Sequence, residues 1–325
     1  MKNFKQLFLM LSIMSAVILI IGGAATFAVG MTMLDWNFRR LDPDYGAEFI
    51  QRFHYSAEVL AEQSVTEVNI LGDGAGRDII VTTRTYGDFA LYESDLEYFT
   101  STAGIIDGTL TITVKSAGWR GIDGFWFRGV AAQRTRIYIP NDLALNVGRF
   151  NGSVRVEDLA VEKIDINMSS GSVRINDVTV DGNADIRSLN GIIRINSLTA
   201  HGDISLYNNN GTVIANNLIS TYGNINITVR SGAIRTDGLN ARDINATNIS
   251  GGIRLENVRL TGDLTFSNYS GAVRIWIVGR SSDFDIDIRV ARGAGDMVMS
   301  NPYAEQRIRG RVSNGSSRVI FFGGR

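Results

Sequence analysis

The chain has 325 residues, 44% hydrophobic and 20% charged, with a formal net charge of −1, the balance of a folded protein and not of a disordered one. So small a net charge supplies no basic field, which argues against a nucleic-acid partner. The absence of cysteine excludes disulfides, thiolate metal sites, lipid-modified cysteine anchors and cysteine nucleophiles.

Between Lys5 and Asp35 there is no charged residue, and Leu7 to Val29 is almost continuously apolar. At a rise of about 1.5 Å per residue this is long enough for the roughly 30 Å hydrocarbon core of a bilayer. Residues 1–34 are therefore expected to form an N-terminal transmembrane helix. Lys2 and Lys5 favour a cytoplasmic N-terminus, a bias that Arg39 and Arg40 weaken. The competing reading is a cleaved signal peptide ending near Thr26-Phe27-Ala28. Its apolar run would be about 7 to 15 residues, shorter than the one present. Both readings put residues 35–325 outside the cytoplasmic membrane.

Residues 35–61 are mixed in character and read as a stalk. Period-two alternation then starts at Val65 and returns at Asp78-Ile-Ile-Val, Gly108-Thr-Leu-Thr-Ile-Thr-Val and Thr135-Arg-Ile-Tyr-Ile, which predicts strands without a regular repeat. Residues 62–142 are expected to be irregular β coils that cap the open sheet edge of the regular coils beyond them. Within them, Gly118-Trp-Arg-Gly-Ile-Asp-Gly-Phe-Trp-Phe-Arg-Gly129 breaks the polar rule for loops. Trp119, Phe125, Trp126 and Phe127 are candidates for an exposed binding patch; the plainer reading makes them a plug at the apolar end of the fold.

From residue 143 one unit recurs: Asn or Ser, then Gly, then aliphatics flanking an arginine, as in Ser170-Gly-Ser-Val-Arg-Ile175 and Ser270-Gly-Ala-Val-Arg-Ile275. Anchoring glycines are read at 152, 171, 191, 211, 232, 251, 271, 295 and 315, spaced mostly by 19 to 21 residues, with 24 before Gly295. Such a period predicts an all-β, single-stranded parallel β-solenoid over 143–325 with three short strands per coil, right-handed by the usual rule for parallel crossovers. Three pairs per coil read as core, because residues two apart share a face: positions +2 and +4 after the glycine, +7 and +9, and seven and five before the next one. In the coil ending at Gly295 the third pair is then Ile288 and Val290.

The residue at +3 must point outward. It is arginine at Arg155, Arg174, Arg194, Arg235, Arg254, Arg274 and Arg318, and is replaced by Ile214 and Val298. Stacked coils would align these guanidiniums in one column. One reading is a solvated column paired with Asp158, Asp177, Asp237 or Glu256; the other is a stripe for phosphate or carboxylate groups of an envelope polymer, because arginine suits bidentate recognition.

Little else carries chemistry. Outward acids such as Asp165, Asp185, Asp203, Asp243, Asp263, Asp285 and Asp287 raise a polysaccharide-cleaving β-helix enzyme as an alternative, yet they fall at turn and alternating positions. Gly72-Asp-Gly-Ala-Gly76 precedes no helical pattern and reads as a turn, so neither a phosphate loop nor a cofactor is expected.

The apolar span, the irregular strands, the Ile139-Pro140 bend and the serial Ser/Asn-Gly-x-Val-Arg-Ile units resemble the bacterial putative-adhesin β-solenoid family, closest to its LiaG-like membrane-anchored members. The resemblance covers about residues 62–325 plus the anchor. It implies an adhesin-like interaction or scaffold module at the cell envelope, with an envelope polymer or a membrane protein as partner; an accessory of envelope-stress signalling is the alternative it suggests. No catalytic residues come with it. The typical repeat of that family has an acid after the glycine, whereas here the place is Ser, Ile, Thr, Ala or Gly, with Asp only at Asp296.

Overall fold

A computed structural model of the chain describes residues 49–72, 77–83, 87–94, 101–114, 134–295 and 300–323. The predicted anchor over 1–34 and the aromatic candidates Trp119, Phe125, Trp126 and Phe127 lie outside the described residues. Among those described, no helix is long and apolar enough to cross a membrane.

The chain is an all-β parallel solenoid. Its first strands are β1 (Phe49–Tyr55), β2 (Glu67–Gly72), β3 (Arg77–Thr83), β4 (Phe89–Ser94), β5 (Thr102–Ile106), β6 (Thr109–Val114) and β7 (Arg134–Ile139), with a single short helix, α1 (Ala57–Glu62), between β1 and β2. These strands do not stack in chain order. β2 and β3 form one layer, with β6 and β7 parallel to them on one side. Antiparallel strands then cover that outer layer, β5 on β6 and β4 on β7, and β1 pairs with β4. Antiparallel pairing of this kind occupies the backbone groups that a parallel edge would otherwise leave open. Inside the cap, the buried carboxylate of Glu93 accepts from Ser101 Oγ and faces Arg52 Nε at 3.5 Å, so it is not left unpaired.

On the other face of β2 and β3 sits β8 (Ala144–Val161), followed by β9 (Lys163–Val180), β10 (Ala184–Ile195) with β11 (Leu198–Ala200), β12 (Ile204–Ser220), β13 (Ile225–Ala241), β14 (Ile244–Ser250) with β15 (Ile253–Leu260), β16 (Leu264–Gly279), β17 (Phe284–Gly295) and β18 (Gln306–Gly323). Each coil is a nearly continuous strand bent at corners, where three separate strands were expected. The expected inward pairs are nonetheless the core: Val154 and Val156, Leu159 and Val161, and Ile164 and Ile166 are all buried, as are most of their counterparts in later coils, while Leu260, Ile286 and Ile288 are partly buried against them. Burying such a side chain fully contributes about 1.5 to 3 kcal/mol.

Two corners define the bends. At the first, the anchoring glycine has a φ between +111° and +149° in every coil from Gly152 on. At the second, Asp158, Asp177, Asn217 and Asn257 take φ of 50–52° and Gly238 takes 80°, the left-handed conformation that aspartate, asparagine and glycine tolerate best. Conformation alone does not explain the glycines at the first corner. A Cβ on Gly171, Gly191, Gly211, Gly232 or Gly251 would overlap the carbonyl oxygen of the glycine one coil earlier. The coils approach so closely there that only glycine fits.

The last two coils depart from chain order. β18 pairs with β16 on one side and with β17 on the other. The C-terminal strand is therefore inserted beneath the coil that precedes it in sequence. Gly293, not Gly295, is the anchor of that coil, since it stands against Gly315. Its third inward pair is correspondingly Ile286 and Ile288, in place of Ile288 and Val290. The packing reason lies in the core: Phe266 on β16 needs space above it, and Gly310 on β18 supplies that space, because a Cβ there would overlap the ring. The counterpart of Gly310 on β17 is Ile288, whose side chain would fill the same space.

Gly232→Ala is expected to lower the unfolding free energy by about 3 kcal/mol or more, from overlap with Gly211 added to an unfavourable φ. Gly104→Ala, with nothing near its added Cβ, should stay within about 0.5 kcal/mol. Denaturant midpoints of the two variants check the pair; an equal shift would refute the close-approach explanation.

Candidate functional site

In-register stacking turns the +3 position into a column. Arg155 stands against Arg174, Arg174 against Arg194 and Arg194 against Ile214. The column resumes through Arg235, Arg254, Arg274 and Arg318. Every arginine candidate from the sequence is thus brought onto one ladder, and the insertion of β18 makes Arg318 the fourth consecutive rung beyond Ile214. At the N-terminal end the column passes to Ile80 and then Arg136.

Neighbours divide the ladder into two kinds of rung. Arg254 has its own acid, with Nε 3.0 Å from Glu256 Oε1, and its guanidinium lies 5.3 Å from the centre of the Trp276 ring. Arg155 lies 3.5 Å from Glu157. Of the acids expected to pair, Glu256 does so, Asp237 accepts from Asn257 Nδ2, and Asp158 and Asp177 stand at the second corner with positive φ. Arg174, Arg194, Arg235 and Arg274 have neither an ion-pair nor a hydrogen-bond partner among the described residues. Guanidiniums one strand spacing apart, about 4.8 Å, repel by about 1 kcal/mol in water. The ladder is therefore a run of like charge that the fold itself only partly compensates.

On each side of it runs another column. At +5 are Glu157, Asn176 and Asn196, joined by side-chain hydrogen bonds of 2.9 Å; further along come Asn216, Asp237, Glu256 and then Trp276. At +1 the serines Ser153 and Ser172 are followed by the larger Ile192 and Thr212, and these give way to Ala233, Gly252 and Ala272. Where this column is small, a shallow groove of about 680 Å³ opens beside Arg235, Arg254 and Arg274. A second hollow of about 590 Å³ lies next along the same face, lined by Arg274, Trp276, Arg318 and Ala294.

Sequence reasoning missed Trp276 and the small column, and missed an internal brace beneath them. Asn208, Asn248 and Asn268 are buried, and each donates Nδ2 to a corner-glycine carbonyl of the preceding coil: Gly191, Gly232 and Gly251, at 2.9–3.0 Å. The recurrence of Asn three residues before the corner glycine was the available signal. Most of the outward acids have structural partners: Asp203, Asp243 and Asp263 each accept a backbone N–H from the adjoining coil, and Asp185 and Asp287 pair with Arg187 and Arg289. Arg309 and Arg289 hold the carboxyls of Asp285 and Asp287 below the usual carboxylate range. Among the described residues no group of three or more His, Asp or Glu is placed to hold a metal ion.

If repulsion outweighs pairing at the unpartnered rungs, Arg235→Gln together with Arg274→Gln leaves stability unchanged or raises it by up to about 1 kcal/mol at low salt, a gain that screening removes. Arg254→Gln, which loses Glu256 and the Trp276 ring, should cost about 1 kcal/mol. Melting temperatures at low and high salt distinguish the two; a large loss in the double variant would show hidden structural partners.

No curated protein matches the chain. Among solved structures it is similar to a putative adhesin from Bacteroides fragilis (16% identity, 86% of this chain and 99% of that one, TM-score 0.36) and to a putative adhesin from Parabacteroides distasonis (13% identity, 85% and 98%, TM-score 0.37). A putative cell adhesion protein from Clostridium sporogenes is similar at 7% identity over 85% of this chain and 100% of that one, with a TM-score of 0.25. The sequence matches the family described as Toastrack DUF4097 over residues 92–319, well over half of its length, and so the chain belongs to the Toastrack DUF4097 family of β-solenoids.

Proposed function

We propose that this protein is a non-enzymatic, membrane-anchored β-solenoid that works as an adhesin-like interaction module at the bacterial cell envelope. The apolar segment Leu7–Val29 is the anchor, the N-terminus is cytoplasmic, and the solenoid stands outside the membrane and meets an envelope polymer or a membrane protein. The observation that carries this reading is the ladder face, where Arg235 and Arg274, which have no carboxylate partner among the described residues, line an open groove. A rigid surface with aligned unpaired cations is suited to holding an extended anionic partner and costs little reorganisation on binding. The long apolar run of the N-terminal segment supports the anchor.

Two measurements test the reading. In intact cells, protease added from outside should cut the solenoid and leave an N-terminal tag protected. The full chain in detergent should sediment with purified cell-wall material in a salt-sensitive manner, losing at least fivefold on Arg235→Gln/Arg274→Gln. A protected solenoid would refute the orientation, and wall binding indifferent to the arginines would refute the assigned surface.

A further inference from the structure

We infer that the groove beside the four consecutive rungs Arg235, Arg254, Arg274 and Arg318 binds an acidic polysaccharide whose sugars each carry a carboxylate, laid along the solenoid axis. The inference rests on the reading of the ladder face as the contact surface and gives its ligand a chemical class.

Three features select that class. The first is repetition. Rungs recur at one strand spacing, about 4.8 Å, and a pyranose in an extended 1,4-linked chain advances by close to the same distance. Successive sugars therefore meet successive guanidiniums, and the long arginine stems reach carboxylates on either edge of the sugar ribbon. A guanidinium can grip a carboxylate with two parallel N–H bonds; Arg235 and Arg274 have no such partner among the described residues, whereas Arg254 between them is held by Glu256 and meets the ligand only by exchanging that partner.

The second is shape. The floor beside the rungs is made of Ala233, Gly252 and Ala272 and continues through Ser316 and Ala294 in register. Toward the N-terminus, Thr212 and the exposed Ile192 replace the small residues, and Ile214 replaces the arginine. The trough and this second run of arginines thus begin at the same coil, beyond Ile214.

The third is the aromatic ring. Trp276 lines the second hollow between Arg274 and Arg318. Its half-buried ring, under the guanidinium of Arg254 on one side, offers apolar surface to the C–H face of a sugar. A polyol phosphate or a polypeptide anion has charge but no such face. Asp237 and Glu256 on the flank reduce the net positive charge of the groove, which favours spaced carboxylates aligned with the rungs over a dense polyanion.

The test uses the full chain in detergent and a size-graded series of 1,4-linked oligouronates, from one sugar to eight, read by calorimetry. Affinity should climb at least tenfold between the dimer and the tetramer, and then change by less than twofold from the pentamer to the octamer, since the run holds four rungs. Ala272→Leu, which fills the trough without altering charge, should weaken tetramer binding at least tenfold, and Trp276→Ala at least fivefold; unchanged amide spectra show that both variants are folded. Tighter binding of poly(glycerol phosphate) or polyglutamate than of the uronates would overturn the inference. So would affinity that keeps rising with length, no tetramer binding, or an Ala272→Leu variant that binds as well as the parent. If the full chain sediments with cell wall and Ala272→Leu does so equally, the interaction-module reading stands and this inference alone falls.

Discussion

The close approach of backbone at the first corner is the constraint on which the rest of the fold depends. From Gly152 to Gly271, and then through Gly315 to Gly293, each glycine packs against the carbonyl of the one before it at a φ that other residues avoid. A side chain at any of these positions would push two coils apart locally and break the ladder of hydrogen bonds around it. Because the glycine is fixed, the residues after it are fixed in number and direction. Positions +2 and +4 fall inside and +3 falls outside, coil after coil. Buried asparagines reinforce the corner from within, donating their amide hydrogens to glycine carbonyls at the bend, so that those carbonyls are met by protein, while the amide oxygens of Asn208, Asn248 and Asn268 are buried with no hydrogen-bond partner among the described residues.

A charge column is a consequence of that register. In a sheet whose strands could slip, seven arginines at equivalent sequence positions would scatter between faces. Here they line up, and the like-charge repulsion between rungs is met unevenly: by acids at Arg155 and Arg254, and by no described partner at Arg174, Arg194, Arg235 and Arg274. The +5 column is acid at Glu157, amide at Asn176, Asn196 and Asn216, acid again at Asp237 and Glu256, and then Trp276, so compensation of the arginine ladder varies along the axis.

Much of the architecture was legible in the sequence because glycine, aliphatic pairs and arginine recur with a spacing that only stacked coils explain. Leu145, Val147, Val154 and Val156 could be assigned inward from spacing alone, and they are buried. The misreading of Gly295 as an anchor has a definite cause. Gly293 and Gly295 flank Ala294, and the local pattern Gly-Asp-Met-Val-Met imitates the repeat; the choice between them is made by contact with Gly315, which lies 22 residues on. Chain-order exchange at both ends was hidden for the same reason. Periodicity says that coils stack, but the order of stacking is decided by nonlocal fit, such as the space Gly310 leaves for Phe266. Trp276 was invisible as a site residue because its role comes from the rung beside it on the neighbouring coil.

Insertion of the C-terminal strand next to β16 completes both the stack and the fourth consecutive rung, and is the central claim. The chain has no cysteine, so paired substitutions report this order directly. Ser267 and Arg311 are exposed partners in the register of β16 with β18, while Arg289 lies one layer further out. Ser267→Cys with Arg311→Cys should form an intramolecular disulfide readily under mild oxidation, being one strand spacing apart and within the usual Cα separation. Ser267→Cys with Arg289→Cys should not. Efficient bridging of the second pair and failure of the first would mean that the coils stack in simple chain order, and would contradict the account.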